Sequence, residues 1–414
     1  MNETNWAGNY GYRATRLHRP ETMDELRKIV AEAPKIHALG SRHSFNGIAD
    51  AGELVSLERL EQRIEIDRAA GTVTVNSGIP YGALAQILEH EGLALHNMAS
   101  LPQISVAGAI STATHGSGDA NGNLSTAVTA LELVTSDGGL LRAARDDDDF
   151  AGMVVGLGAL GVITRLTLKV EPSYLVRQEV FEHLEWDVFF NRFDEVTSSA
   201  GSVSLFTDFS ESVNQVWLKS RVHPDHAEPL RDDLMGAVPA TRMLHPVGTL
   251  SPDNCTQQLG IAGSWADRIP HFRMDAPPAS GDEVQAEYMV SRRHAVQALQ
   301  ALRQVGDAIR PHLWISEIRT VAADDLWLST AYGVDTVAIH FSWKNDVEAV
   351  ARVLPIVEEA LVPFEPRPHW GKLFMISGSD IASRYEKMPD FRRLAQRLDP
   401  RGAFRSEFLE GVLG

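Results

Sequence analysis

Alternating apolar and polar residues divide the first part of the chain, up to about Glu171, into short predicted strands with glycine at the turns. Residues 63–67 and 72–76 alternate around Ala69-Ala70-Gly71, which predicts a β-hairpin. A second hairpin is predicted where residues 130–135 lead into Ser136-Asp137-Gly138-Gly139. Strands are also predicted at 36–39 and 162–170, and apolar residues at helical spacing predict a helix over 81–88 that stops near Gly92.

The pattern changes after Glu171-Pro172-Ser173, which indicates a domain boundary. Beyond it the chain predicts further strands and two long helices, with proline- and glycine-rich connections over residues 238–278. The strands are predicted at 203–206, 215–219, 283–290, 313–321 and 336–343, and the helices at 292–309 and 346–361. A last helix is predicted near residues 390–398, before the turn Pro400-Arg401-Gly402.

Three of these later strands carry polar side chains on one face and apolar side chains on the other, because residues two apart project from the same side of a strand. The polar positions are Gln285, Glu287, Glu317, Arg319, His340, Ser342 and Lys344. The pattern alone leaves two interpretations open. The polar face is either the water-exposed side of an antiparallel sheet or the floor of a site that hydrogen-bonds a polyol.

Two loops and one short motif could carry chemistry. Residues 39–47 follow a strand, and Gly40 with the neighbouring amides and serines could hold a pyrophosphate; a polar loop with an incidental His43 is the alternative. Residues 100–118 are mostly small, which suits close approach of backbone to a large planar or phosphorylated ligand rather than a flexible linker. In Arg367-Pro368-His369-Trp370-Gly371-Lys372, a surface lysine is the simpler interpretation of Lys372.

Composition narrows the class of protein. The 414 residues contain 38 basic and 55 acidic side chains, a formal charge of −17, which disfavours nucleic acid or an anionic membrane as a partner. The single cysteine, Cys255, excludes an internal disulfide and a multi-cysteine metal site. We recognise no signal peptide and no apolar run long enough to span a membrane, so a cytoplasmic protein is expected.

Taken together, the motifs resemble the vanillyl-alcohol-oxidase superfamily of flavoproteins and, within it, the alditol (xylitol and sorbitol) oxidases. Residues 40–46 are similar to the loop that carries the flavin in that family, and residues 99–108 and 114–118 to its second flavin loop. Residues 317–320 and 369–372 are similar to its substrate-side strands. The resemblance implies an α+β fold with an FAD-binding (PCMH/VAO-type) domain at 1–172, an antiparallel-sheet substrate or cap domain at 173–375, and a return to the FAD domain at 376–414.

The resemblance also implies a cofactor and a set of site residues. FAD would be bound covalently through His43. The further FAD contacts implied are Gly40, Ser41, Arg42, Ser44, Phe45, Ser100, Ser105, Gly108, Thr112, Ala113, Thr114, His115, Val162 and His369. Arg319 and Lys372 are the implied catalytic residues, and the substrate would also contact Ser100, Gln285, Glu317 and Ser342. No metal is expected.

The function implied is oxidation of the terminal primary hydroxyl of an alditol to the aldose, with hydride transfer to flavin N5 and reduction of O2 to H2O2. The partners expected are therefore a small polyol and oxygen, and the protein is expected to be a monomer. A sugar-1,4-lactone oxidase or dehydrogenase of the same superfamily is the nearest alternative. A carbohydrate-binding protein that has lost the cofactor is another, whereas a Rossmann dehydrogenase is disfavoured because no GxGxxG opens a helix after a strand.

Overall fold

The N-terminal part of the molecule is built on two small sheets. The structure, a computed structural model, describes residues 3–223, 229–276 and 282–414. A parallel three-stranded sheet has the order Arg16–His18, Glu53–Val55, Ile36–Ala38. An antiparallel sheet has the order Ile64–Asp67, Thr72–Asn76, Val162–Lys169, Val128–Val134, Leu140–Ala144. Both predicted hairpins are confirmed, and Gly71 turns the first of them with φ of +64°.

The last helices of the chain pack against this N-terminal part. Its own helices are Met23–Glu32, Tyr81–His90, Val106–Ser111 and Phe150–Val154. The C-terminal helices are Gly378–Ser383, Met388–Leu398 and Glu407–Leu413. Phe391 and Leu409 from these helices share one hydrophobic core with Val75 and Leu84. The predicted helix over 81–88 is confirmed, and the C-terminal helix is two residues longer at its start than predicted.

A nine-stranded antiparallel sheet, here called the large sheet, forms the second part of the molecule. Eight of its strands lie in the order Val238–Pro239, Leu175–Glu185, Ser212–Val222, Ser202–Thr207, Leu313–Val321, Thr336–Lys344, Glu283–Ser291, Arg367–Pro368. The ninth strand, Gly263–Ser264, pairs with Leu175–Glu185 outside this order. All five strands predicted after residue 173 are confirmed. The strand Leu175–Glu185 escaped prediction because its polar residues Arg177, Gln178 and Glu179 are buried, which hides the usual alternation.

Helices cover one face of the large sheet. They are Trp186–Asn191, Phe193–Thr197, Ala295–Gln304, Gly306–Ile309 and Val347–Leu361. Their apolar side chains pack on Val337, Ile339 and Phe341, the apolar face that the sequence predicts. The single helix predicted over 292–309 is wrong, because the chain breaks at Val305 and a new short helix begins at Gly306.

The remaining elements are short. Leu93–Ala94 pairs with Glu171–Pro172, and a helix spans Trp265–Arg268. Short 3-10 turns lie at Gly47–Ala49, Leu124–Ala127, Pro252–Asn254, Arg292–His294, Arg310–His312 and Val362–Phe364. Of the connections predicted over 238–278, residues 277 and 278 lie outside the described residues. Within the described part of the chain, no helix combines the length and apolarity needed to cross a membrane.

Candidate active site

A long cleft lies between the uncovered face of the large sheet and the two loops of the N-terminal part. On the sheet side it is lined by Gln285, Glu287, Glu317, Arg319, His340 and Ser342, which we call the polar face. The other predicted residues that line it are Gly40, Ser41, Arg42, His43, Ser44, Phe45, Ser100, Ser105, Gly108, Thr112, Thr114, His115, His369 and Lys372. Residues from distant parts of the sequence therefore meet at one cleft.

Two of the predicted contacts do not point their side chains into this cleft. Ala113 is fully buried in the hydrophobic core of the N-terminal part, and Val162 packs with Val134 in a neighbouring core cluster. Alternation along the strand Val162–Lys169 explains the second case, since Ile163 lines the cleft and Val162 faces the opposite way.

The first loop is fixed at both ends. It follows the strand Ile36–Ala38, and Ser41 Oγ accepts a hydrogen bond of 2.9 Å from the backbone N–H of Ser105. Asn46 Nδ2 donates to the carbonyl oxygens of Trp370, at 2.9 Å, and Lys372, at 2.7 Å. The loop that carries His43 is thereby tied to the segment that carries Lys372.

His43 projects from this loop toward the cleft. Both ring nitrogens are buried, and no hydrogen bond of ordinary geometry reaches them from the described residues, although the backbone of Ser41 lies close enough to oppose the effect of burial on the pKa of the ring. The imidazole stacks on Trp6, with 5.6 Å between ring centroids. Burial lowers the pKa of His43 to about 4, so the ring is neutral near pH 7 and its nitrogen lone pair is available as a nucleophile.

The second loop brings backbone close to the cleft. Ser105 precedes the helix Val106–Ser111, and a Cβ placed on Gly40 or Gly108 would lie 2.6 or 2.8 Å from Ser105 Oγ. Side chains at these two glycines would therefore crowd the cleft. Further along, Thr114 Oγ1 lies 3.4 Å from His369 Nε2, which links this loop to the segment of Lys372.

Glu287 lies at the centre of a buried cluster of charges on the polar face. Its Oε2 is 2.6 Å from Lys372 Nζ, and its Oε1 is 3.0 Å from Arg319 Nη2 and 3.2 Å from His115 Nε2. Lys372 Nζ is also 2.7 Å from His340 Nδ1. The carboxylate is only 1% exposed, so it orients both cations from beneath the cleft.

A second carboxylate extends the cluster along the sheet. Glu317 Oε1 lies 3.4 Å from Arg319 Nε, and Arg319 Nη1 donates to Ser100 Oγ at 3.3 Å. Strand pairing places Glu317 opposite His340, which in turn is opposite Glu287. These residues form one transverse row across the sheet. The next row, formed by Ser342 and Gln285, lies two residues further along each strand.

The groups of this cluster shift one another's pKa values and so determine which of them are charged. Burial raises the pKa of Glu287, but Lys372, His115 and Arg319 outweigh it and hold that pKa well below the usual range. Burial lowers the pKa of Lys372, and Glu287 opposes this shift. Burial, reinforced by Lys372, lowers the pKa of His340 to about 3, so the ring is neutral and its Nδ1 accepts from Lys372 Nζ.

These observations decide two interpretations that the sequence left open. The polar face is buried against the N-terminal loops, so the interpretation as a water-exposed sheet is wrong. Lys372 is paired in the cleft, so the interpretation as a surface lysine is also wrong.

Sequence reasoning missed several residues of the cluster. Glu287 and His340 were visible as polar positions on the correct strand faces but were not identified as site residues. His271, also at the cleft, comes from the irregular segment after Val238, where no periodic pattern gives a signal.

Comparisons with known proteins agree with this arrangement. Residues 14–144 match the FAD binding domain family, and residues 282–412 match the D-arabinono-1,4-lactone oxidase family. An alditol oxidase from a Streptomyces species is 47% identical over 99% of this chain and 98% of its own length. L-gulono-1,4-lactone dehydrogenase of Mycobacterium tuberculosis is 29% identical, with 99% of each chain covered.

Among solved structures, cholesterol oxidase from B. sterolicum shares the fold. Its TM-score is 0.79 at 14% identity, with 99% of this chain and 96% of that chain covered. At this identity the likeness concerns the fold alone.

The residues present in the cleft fit a flavin. His43 offers two buried nitrogens without partners in the described parts of the chain, and Gly40 and Gly108 leave the backbone open beside Ser105. The matched FAD binding domain spans both loops that carry these residues. The described residues contain no group of three or more side chains arranged to hold a metal ion.

Proposed function

The chain belongs to the alditol oxidases, FAD-dependent oxidoreductases of the vanillyl-alcohol-oxidase superfamily, and we propose on this basis that it oxidises the terminal primary hydroxyl of open-chain alditols such as xylitol and sorbitol. The observation that carries the proposal is the polar face, where Glu287 orients Arg319 and Lys372 beside the loop of His43. A cleft with several buried polar groups suits a substrate with several hydroxyls.

Arg319 and Lys372 act on the reacting hydroxyl. Oxidation of an alcohol removes a proton from oxygen and a hydride from carbon; Lys372 receives the proton, and the fixed cation of Arg319 stabilises the negative charge that develops on oxygen. Both side chains are held by Glu287, so they need no reorganisation during the reaction. FAD bound in the cleft would supply the hydride acceptor, and its reoxidation by O2 would give hydrogen peroxide.

Lys372 Nζ takes the alcohol proton in this proposal. A neutral amine donates one N–H to Glu287 Oε2, at 2.6 Å, and the other to His340 Nδ1, at 2.7 Å. Its lone pair is then left for the hydroxyl proton. Burial favours the neutral form of Lys372 by lowering its pKa. A water molecule held by Arg319 is the alternative proton acceptor.

The remaining hydroxyls are held along the sheet. Ser100, which contacts Arg319, binds the reacting hydroxyl, and Glu317 accepts from a hydroxyl further along the chain. Ser342 and Gln285 form the next transverse row and receive the distal hydroxyls. Alcohols that lack these hydroxyls leave buried polar groups unpaired and bind weakly.

His43 holds the FAD covalently in this proposal. Its neutral, unpaired imidazole nitrogens support this role. After acid precipitation of the purified protein, the yellow colour should stay in the pellet, and His43→Ala should release it to the supernatant. Colour in the wild-type supernatant would exclude the covalent bond while leaving bound FAD intact.

The substrate is tested by following hydrogen peroxide. Xylitol and sorbitol should react far better than ethanol or benzyl alcohol. Equal rates with plain alcohols would refute the role of the polar face. A preference for D-arabinono-1,4-lactone would instead favour the lactone chemistry named for the family matched by residues 282–412. The monomeric state and the cytoplasmic location stay predictions from the sequence.

A further inference from the structure

A buried lysine that the proposed mechanism does not use lies beside the polar face, on the same side of the large sheet. Lys219, on the strand Ser212–Val222, is only 2% exposed. Its Nζ donates to the carbonyl oxygens of Ile269, at 2.6 Å, and Pro270, at 2.9 Å, and lies 3.0 Å from His271 Nδ1. All three neighbours belong to one short segment, so Lys219 fixes the position of His271.

His271 connects this lysine to the substrate cleft. Its Nε2 is 2.8 Å from Glu317 Oε1 and 3.3 Å from Ser204 Oγ. Phe206 and Trp217 pack against the ring edge to face, with centroids at 5.6 and 5.3 Å. The plane of the imidazole is therefore held, and only the position of its proton can vary.

The hydrogen-bond geometry selects one tautomer of His271. Burial lowers the pKa of Lys219 to about 7, so the ammonium form predominates at about pH 6. In that form two N–H groups donate to the two carbonyl oxygens, which can only accept, and the third N–H points at Nδ1. Nδ1 then accepts, and the ring proton lies on Nε2, from which it is donated to Glu317. The opposite tautomer would place a nitrogen lone pair 2.8 Å from a carboxylate oxygen, with no proton between them.

The same contacts give the two carboxylate oxygens of Glu317 different surroundings. His271 and Arg319 both contact Oε1, at 2.8 and 3.4 Å. Oε2 makes no hydrogen bond or ion pair with the residues that the structure describes. Because Oε1 is held, Oε2 has a fixed direction in which to accept a hydrogen bond from a substrate hydroxyl.

We propose that Lys219 and His271 are positioning residues for polyol binding: Lys219 sets the tautomer of His271, and His271 orients Glu317 toward a substrate hydroxyl. The inference rests on the proposed function, because Glu317 is taken to bind the polyol. It adds two residues that act indirectly: Lys219 acts through His271, and His271 acts through Glu317. It therefore predicts an effect on substrate binding rather than on the oxidation step.

The test compares two replacements of His271 in the holoenzyme. His271→Gln places an amide N–H near the position of Nε2, so Glu317 keeps its donor without needing a tautomer. His271→Leu removes the donor. At about pH 6, we expect His271→Leu to raise KM for xylitol about 10-fold, a loss of ~1.4 kcal/mol, with kcat within about 3-fold of wild type. His271→Gln should stay close to wild type, and the flavin absorption spectrum should not change in either.

The role of Lys219 is tested in two backgrounds, the wild-type enzyme and the His271→Gln variant. Lys219→Met should raise KM in the wild-type background and leave it unchanged in the His271→Gln background, because glutamine has no tautomer to set. An equal rise in both would show that Lys219 is only structural and would overturn the proposal. An unchanged KM in His271→Leu would also overturn the proposal. This comparison does not depend on whether Lys219→Met folds. A wild-type enzyme that does not oxidise xylitol would refute the proposed function instead.

Discussion

Glu287 is the residue whose replacement tests the charge cluster most directly. Glu287→Gln keeps the shape of the side chain but removes a charge that lies 2.6 Å from Lys372 Nζ and 3.0 Å from Arg319 Nη2. At 2.6 Å and an effective dielectric constant of about 20, the attraction to Lys372 is about 6 kcal/mol. Desolvation of the two ions offsets part of this, and breaking a buried pair costs about 3–5 kcal/mol.

The lower end of that range applies here, for two reasons. Arg319 keeps Glu317 as a partner at 3.4 Å, and Lys372, whose pKa burial already lowers, can release its proton rather than remain an unpaired cation. We therefore expect Glu287→Gln to lower the free energy of unfolding by about 3 kcal/mol. For a cooperative unit of about 200 residues, roughly the length of chain from Leu175 to Pro368 that forms the large sheet, that corresponds to a fall of about 6–12 °C in the thermal midpoint.

The assay is thermal unfolding followed by tryptophan fluorescence. Glu195→Gln is the matched control, because Glu195 pairs with Arg192 on the surface with 58% of its side chain exposed, so its replacement should leave the thermal midpoint nearly unchanged. Adding Lys372→Met to Glu287→Gln should cost less than the sum of the two single changes, since no buried charge is then left unpaired. A midpoint for Glu287→Gln equal to that of the control, or strict additivity, would refute the electrostatic argument.

Two further substitutions and one labelling experiment test the site and its surroundings. Lys372→Met should lower kcat for xylitol by about 10²–10³-fold in a peroxide assay; partial rescue by methylamine would support Nζ as the proton acceptor, and no rescue would favour the water held by Arg319. Gly116→Ala should lower the thermal midpoint by several degrees, because its Cβ would lie 2.5 Å from the carbonyl oxygen of Met98; an unchanged midpoint would mean that the loop can shift freely. Burial raises the pKa of Cys255 to about 12, so its thiolate fraction at pH 8 is about 1000-fold below that of an ordinary thiol; the native protein should resist an aromatic disulfide reagent that labels it in denaturant, and fast native labelling would contradict this burial.

Local pattern predicted five of the nine strands of the large sheet, because these strands bury an apolar face against helices. The period of two in residues 336–343 separates Ile339 and Phe341 from His340 and Ser342, and the structure keeps that separation. The same period could not decide whether the polar face meets water or another part of the protein. That depends on the loops of His43 and Ser100, which lie more than two hundred residues away in sequence.

Residues outside regular elements were the hardest to predict. His271 belongs to a segment with no helix or strand of its own, and its contact with Glu317 depends on Lys219 holding the backbone at Ile269 and Pro270. In the sequence alone, a lysine within a strand pattern indicates a solvent-facing position, even where, as at Lys219, the side chain is buried. Pairings of this kind are set by three-dimensional proximity, and no spacing along the chain signals them.

The fold alone does not determine the substrate of this protein. A cholesterol oxidase shares the architecture at a TM-score of 0.79 and 14% identity, so the argument about substrate must rest on the side chains of this chain's own cleft. Here the polar face presents two carboxylates, a guanidinium and amide and hydroxyl groups, all buried. A large apolar substrate would cover these groups without pairing them, at about 1–3 kcal/mol for each one left unsatisfied. In the proposed function a chain of hydroxyls pairs them instead, and a few alternate positions on three strands then decide the class of molecule that this cleft accepts.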